Sequence, residues 1–301
     1  MLQEAHQTYS PLNTLKPVDD GIWIIDGPVI RFGVPGFRMP FPTRATIIRL
    51  RGGSLFVHSP TPLVAGLMRE LEELGTPRWI IGPNRLHYWW IADWHAAYPK
   101  AEIYLEPKTA EQAGKRLECD WHPLKESSGY PWDHEIRTLP VPGSYMTEVV
   151  FFHVASSTLL VTDLIENFEA SKTGTFWMRL LTWAGGVRDP DGSTPRDMRL
   201  SFMRNRAQVK AAVETMIAWN PERVVLAHRR WYACNGGAEL RRAFRWILDR
   251  WASLCPASTF DELEFSIGPT TCRRSQRQEI WTCVFSLRGQ PAPWGANWFL
   301  L

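Results

Sequence analysis

Three polar residues of this 301-residue chain stand behind short apolar runs. His87 follows Arg78 to Ile81 through Gly82-Pro83-Asn84. Asp163 follows Thr158 to Thr162, and His228 follows Arg223 to Ala227. Runs of this length and composition read as buried strands, and ligands of α/β folds gather at the carboxyl ends of strands. Two imidazoles and one carboxylate are the donors that a catalytic Zn²⁺ or a facial-triad iron takes while keeping positions open for water or substrate. Each residue alone has a plainer explanation: a histidine at a strand end is often a hydrogen-bonded structural group, and an aspartate there often caps the following helix. Their joint placement is what points to a metal.

The elements that must position them read as follows. Ile22 to Ile25 is a strand closed by a turn at Asp26-Gly27-Pro28. Ala45 to Leu50 and Ser54 to Val57 flank Arg51-Gly52-Gly53 as a hairpin. A helix then has Thr61 as N-cap, Pro62 at its first position, Leu63, Leu67, Leu71 and Leu74 on one face, and Gly75 past its end. Beyond the strand before His87, a helix is expected around Ile91 to Ala97 and a strand at Glu102 to Leu105. Glu148 to His153 and Thr158 to Thr162 form a second hairpin. Helices are expected around Glu166 to Trp183, Asn205 to Trp219 and Gly237 to Trp251. Strands followed by helices, twice over, predict an α/β protein, a four-layer αββα sandwich spanning residues 1–254. Residues 255–301 lose this periodicity and read as a C-terminal appendage, with a strand pair at Glu262 to Ser266 and Glu279 to Ser286.

Composition narrows the function. The chain is 45% hydrophobic and 22% charged, as in an ordinary globule, and Lys+Arg 34 against Asp+Glu 31 gives +3. That balance, without a basic stripe, argues against a nucleic-acid partner. No apolar run is long enough to span a membrane. The first twenty residues hold no apolar signal core, and the five cysteines form no CxxC pair, so a reducing, cytoplasmic compartment is expected. Sixteen tryptophans suit either a core of large rings or an aromatic-lined pocket, for which Tyr88-Trp89-Trp90 is the candidate segment. The GxSxG, GxxxxGK[ST], GxGxxG and HExxH signatures are missing.

The order of these segments resembles the metallo-β-lactamase superfamily, and more closely its branch termed the domain of unknown function 4336 family, over about residues 15 to 250. The resemblance rests on Ile80-Ile81-Gly82-Pro83-Asn84-Arg85-Leu86-His87, on Trp94-His95-Ala96-Ala97-Tyr98-Pro99-Lys100-Ala101, on Glu148-Val149-Val150-Phe151-Phe152-His153, on Thr158 to Leu164, and on Val224-Val225-Leu226-Ala227-His228. The superfamily motif HxHxDH falls on Gly82, Asn84, Leu86 and His87, and a further histidine falls near Ser144. Only His87, Asp163 and His228 keep ligand types. The resemblance therefore implies a degenerate motif that retains at most one divalent metal: zinc first, with iron or manganese as alternatives, and none if the site is fully degenerate. It also offers Glu148 as an extra metal ligand, against a plain edge-strand charge. Asn84 is a catalytic candidate that orients water or a substrate carbonyl, against a turn residue.

The expectation from these readings is a mononuclear metal-dependent hydrolase of small molecules, with Asp163 and Asn84 as catalytic residues and a metal-activated water. The competing expectation is a metal-free binding or scaffolding module of the same fold. Arg229-Arg230 reads either as an anion holder beside the site or as solvated charge. His95 reads as a packing or surface residue, and His153 as a structural histidine.

Overall fold

Alternation within the strands dictates how the layers stack. In Glu148–His153 (β9), Val149 and Phe151 point to one side and Val150 and Phe152 to the other, all buried. A strand apolar on both faces must be covered on both, and this one lies between a second sheet and a layer of helices. A computed structural model describes residues 7–34, 37–173 and 176–248. The strand pair expected at Glu262 to Ser266 and Glu279 to Ser286, and the appendage at 255–301 as a whole, lie outside them.

The first sheet has seven strands in the order β1 to β7: Lys16–Asp19, Ile22–Val34, Phe37–Arg49, Ser54–His58, Thr76–Gly82, Glu102–Leu105 and His122–Pro123. β1 to β4 pair antiparallel and β4 to β7 parallel. The second sheet has the order β11-β10-β9-β8, built from Arg223–Leu226, Thr158–Val161, β9 and Ile136–Val141, with β10 and β11 parallel. Between the sheets lie Ile24, Ile48, Phe56, Ile81, Trp132, Phe151, Leu160 and Val225. Trp132 sits at the centre of this layer, edge-on to Phe56 at 5.0 Å and stacked on Tyr130 at 5.1 Å.

Each sheet is covered on its outer face by helices. Ala65–Leu74 (α1), Ile91–Ala97 (α2) and Pro107–Ala113 (α3) bring Leu67, Leu71, Ile91, Trp94 and Ala113 against the first sheet. Arg196–Met203 (α5), Arg206–Ala218 (α6) and Gly236–Ala243 (α7) bring Phe202, Val209, Val213 and Leu240 against the second. The four-layer αββα sandwich is thus the fold of the described residues. Phe176–Gly185 (α4) stands apart from these clusters and leaves Phe176, Trp177 and Trp183 exposed.

Several element readings need correction. The turn expected at Asp26-Gly27-Pro28 is a register shift inside a 13-residue strand, so that β2 and β3 form a long hairpin paired from Ile22↔Ile48 out to Val34↔Phe37. α1 begins at Ala65 with Val64 at its N-cap, and the Thr61 hydroxyl caps nothing. The helix expected from Glu166 is helical only over Phe176–Gly185, because Glu166, Asn167 and Phe168 form bridges with Ser193, Arg229 and Arg188. No described helix is long and apolar enough to cross a membrane.

Candidate metal centre

The three residues that stand behind strands converge. β10 and β11 run parallel with Val161 opposite Leu226, so Asp163 and His228 leave the sheet at the same end. His87 arrives from the first sheet, on the loop after β5. The ligand-type atoms of His87, Asp163 and His228 all lie within 4.8 Å of one another, and the cluster is nearly buried. His87 Nε2 is 3.1 Å from Asp163 Oδ2, and His228 Nε2 is 3.3 Å from Asp163 Oδ1.

The far side of each imidazole explains its orientation. His228 Nδ1 lies 2.8 Å from the Pro42 carbonyl oxygen. A carbonyl only accepts, so Nδ1 carries the proton and Nε2 turns toward the carboxylate. Ser59 Oγ meets His87 Nδ1 at 2.5 Å. Ser59 follows β4 in a left-handed conformation at φ 53°, with its N–H donating to the Ile81 carbonyl on β5 at 3.0 Å. Hydrogen bonds of this kind to the outer nitrogen fix the orientation of metal-binding histidines. With Nδ1 protonated, His228 offers a lone pair to a carboxylate oxygen unless a proton or a cation lies between them. The donor set therefore fits a divalent metal.

Burial alone would raise the Asp163 carboxyl, but His87 and His228 beside it hold it well below the usual carboxylate range. Asn84 and Glu148 surround Asp163 from behind. Asn84 Nδ2 donates to Asp163 Oδ2 at 2.6 Å and to Thr162 Oγ1 at 2.9 Å, while Asn84 Oδ1 accepts from Leu86 N. Its amide is spent on orienting Asp163, not on a substrate. Glu148 is fully buried, so it is no edge-strand charge. It lies outside the three-residue ligand cluster. Its oxygens accept from the backbone N–H groups of Thr162, Asp163 and Leu164 at 2.7, 2.7 and 2.9 Å. Glu148 thus splints the loop that presents Asp163. Burial and the charge of Asp163 push its own carboxyl up.

The cluster lies in the wall of a cavity of about 520 Å³. The β2–β3 hairpin supplies Ile30, Phe32, Met39 and Phe41, and α4 supplies Leu181 and Ala184. Phe41 packs against the His228 ring, 5.4 Å between centroids. Trp89 and Trp90 line the cavity, whereas Tyr88 belongs to the core behind it. Glu166 and Asp197 are further carboxylates of the wall. Burial, followed by Asp163 and Asp197, pushes the Glu166 carboxyl well above its ordinary value. Sequence reasoning missed Glu166, Ser59 and the hairpin. Only the position of Glu166, three residues after Asp163, offered a signal.

Other candidates resolve differently. Arg229 is neither an anion holder nor solvated: it is buried, donates to the carbonyls of Gln7, Pro40 and Lys172, and lies over Phe168. Arg230 pairs with Asp189 at 3.4 Å. His95 sits on α2, and His153 is buried with Nδ1 2.8 Å from Ser156 Oγ.

Residues 19–181 match the family model described as Domain of unknown function (DUF4336). The chain belongs to this family. Among solved structures, this family member is similar to the metallo-β-lactamase FIM-1 from Pseudomonas aeruginosa in its mono-zinc form. The identity is 10%, covering 78% of this chain and 96% of that one, with a TM-score of 0.51. It is similar to a metallo-β-lactamase from Hirschia baltica at 15% identity, covering 77% and 96%, with a TM-score of 0.50. It is also similar to the metal-soaked Flv1 flavodiiron core from Synechocystis at 13%, covering 79% and 62%, with a TM-score of 0.51. These likenesses establish the metallo-β-lactamase fold. No curated protein matches the chain by sequence.

Proposed function

We propose that this protein is a mononuclear metal-dependent hydrolase acting on a small molecule. The observation that carries the reading is the pair of outer hydrogen bonds, between His87 Nδ1 and Ser59 Oγ and from His228 Nδ1 to the Pro42 carbonyl, that leave both Nε2 atoms facing Asp163. His87, Asp163 and His228 would hold the ion, zinc by their mixed nitrogen and oxygen character, with iron or manganese as alternatives. A divalent cation there supplies Lewis acidity and lowers the pKa of water. The mono-zinc form of FIM-1 and the metal-soaked Flv1 core support the use of a metal on this fold.

The chain's own residues supply the rest. Asn84 and Glu148 keep Asp163 in place. The Glu166 carboxyl, in its protonated form, is the group in the cavity wall able to give a proton to a leaving group. The degenerate motif fits the surroundings of Gly82, where an added Cβ would come within 2.7 Å of Leu105 Cδ2 and 3.0 Å of Ile91 Cδ1. Apolar side chains fill the place where the superfamily has its first histidine, and this favours one metal over two. Free thiols at Cys119 and Cys234 suit a cytoplasmic location.

Elemental analysis by mass spectrometry tests the reading, on protein purified without a His-tag or chelator, alongside His87→Ala and His228→Ala. Close to one equivalent of zinc, iron or manganese is expected in the wild type and none in either variant. A wild type that stays metal-free after supplementation would replace the hydrolase with a metal-free binding module.

A further inference from the structure

The carboxylates and imidazoles occupy a small part of the cavity; most of its wall is apolar and comes from elements that the metal centre does not need. On the hairpin, Ile30 and Phe32 alternate with Arg31, and Met39 and Phe41 with Pro40, so one face of a two-stranded ribbon is turned into the cavity. From the other side α4 contributes Leu181 and Ala184. The apolar wall does not end at the mouth. Phe32, Trp89 and Leu181 line the cavity and are also 37%, 41% and 40% exposed. Three large apolar side chains held half in water, on a mouth that also carries the exposed charges Arg196 and Asp197, extend the apolar wall outward from the buried polar cluster, and a compact polar substrate would leave them uncovered.

We propose that the cavity binds the hydrocarbon tail of an amphiphile, with its acyl head directed at the His87, Asp163 and His228 cluster. The tail part stands on the cavity alone; the role of the head rests on the metal-dependent reading above. The same chemistry arrives either as a monomeric acyl compound or from a lipid surface.

The test uses the full chain and a fluorescent acyl probe, 11-dansylaminoundecanoic acid, displaced by straight-chain carboxylates from four to fourteen carbons. Displacement is expected to tighten about three- to fourfold per added methylene until the cavity is filled. Leu181→Asp, which puts a charge in the tail's path, and Ala184→Trp, which fills space, should each weaken probe binding at least tenfold. Both sites are solvent-exposed, so both variants should melt like the wild type. His87→Ala with His228→Ala should still bind the probe, which separates the tail from the metal. A second arm offers phosphatidylcholine vesicles with the probe incorporated: transfer of probe to the protein identifies a lipid surface as a source, and binding in the monomer arm only identifies the free compound. Affinity independent of chain length, or probe binding unaltered in both Leu181→Asp and Ala184→Trp, would overturn the proposal even if the metal is found.

Discussion

Two oxygen atoms, Ser59 Oγ and the Pro42 carbonyl, decide which nitrogen of each site histidine faces Asp163. Ser59→Ala should therefore lower metal affinity about 10- to 100-fold while the melting temperature barely moves, as read by competition with a zinc-sensitive dye. Glu148→Gln has a different signature. It replaces one oxygen of a carboxylate that serves three backbone N–H groups with a donor, so stability should fall by about 1–3 kcal/mol in denaturant melts, with metal affinity falling alongside. His58 brings in pH. It is buried, its Nε2 has no partner, and burial followed by the nearby His87 lowers its pKa to about 3. A depressed folded-state value means that the unfolded chain takes up the proton first, below pH 6.5. Stability should accordingly drop as pH falls from about 6.5 toward 3, and His58→Gln should flatten that part of a melting-temperature profile. Asp163 and His228 were legible because each directly follows an apolar run, and His87 because a Gly-Pro-Asn turn links it to one. Ser59 was not, since its role depends on β4 lying beside β5, a pairing between segments about twenty residues apart. Glu148 was legible as a carboxylate near Asp163 but not as a splint, because backbone N–H groups leave no trace in a sequence.

At the level of elements, the strands that end at the site were the clearest part of the chain: β5, β10 and β11 are short, apolar and punctuated. The β2–β3 hairpin was not. Asp26-Gly27-Pro28 has the composition of a turn, yet Pro28 lies at the register shift between Asp26 and Val29, where a residue without an N–H costs the ladder nothing. Turn chemistry and bulge chemistry use the same residues, and only the partner strand tells them apart. β8 and α5 went unread because neither carries a clean period. The end of β5 yields a sharp expectation. Since a Cβ at Gly82 meets Leu105 and Ile91, Gly82→His should not rebuild a second metal site even when combined with Asn84→His and Leu86→Asp. Elemental analysis of the triple variant should show no more than one equivalent, and its melting temperature should fall well below that of the wild type.

Across the described molecule, the two sheets are joined by buried cations, Arg44 among them, as well as by the apolar layer between them. Arg44 on β3 pairs with Asp26 at 2.7 Å and donates to the carbonyls of Leu226 and Arg229, which bracket His228. Arg44→Met leaves Asp26 with Lys16 as its one cationic partner among the described residues and frees the His228 loop. A loss of about 3–5 kcal/mol in chemical denaturation is expected, together with weaker metal binding. The sandwich itself was legible from repeated strand-then-helix order; this cross-tie was not, because Arg44 and Leu226 are far apart in the chain. The origin of the ligands has a thermodynamic outcome. His87 belongs to one sheet, while Asp163 and His228 belong to the other, so an ion on all three is a rivet through two plates. Separating the plates then means expelling the rivet. A cation at a thousand times its dissociation constant would add about 4 kcal/mol to the cost of unfolding. Heat denaturation thereby becomes a metal titration: the transition should climb with added zinc, fall with chelator, and ignore both in His228→Ala.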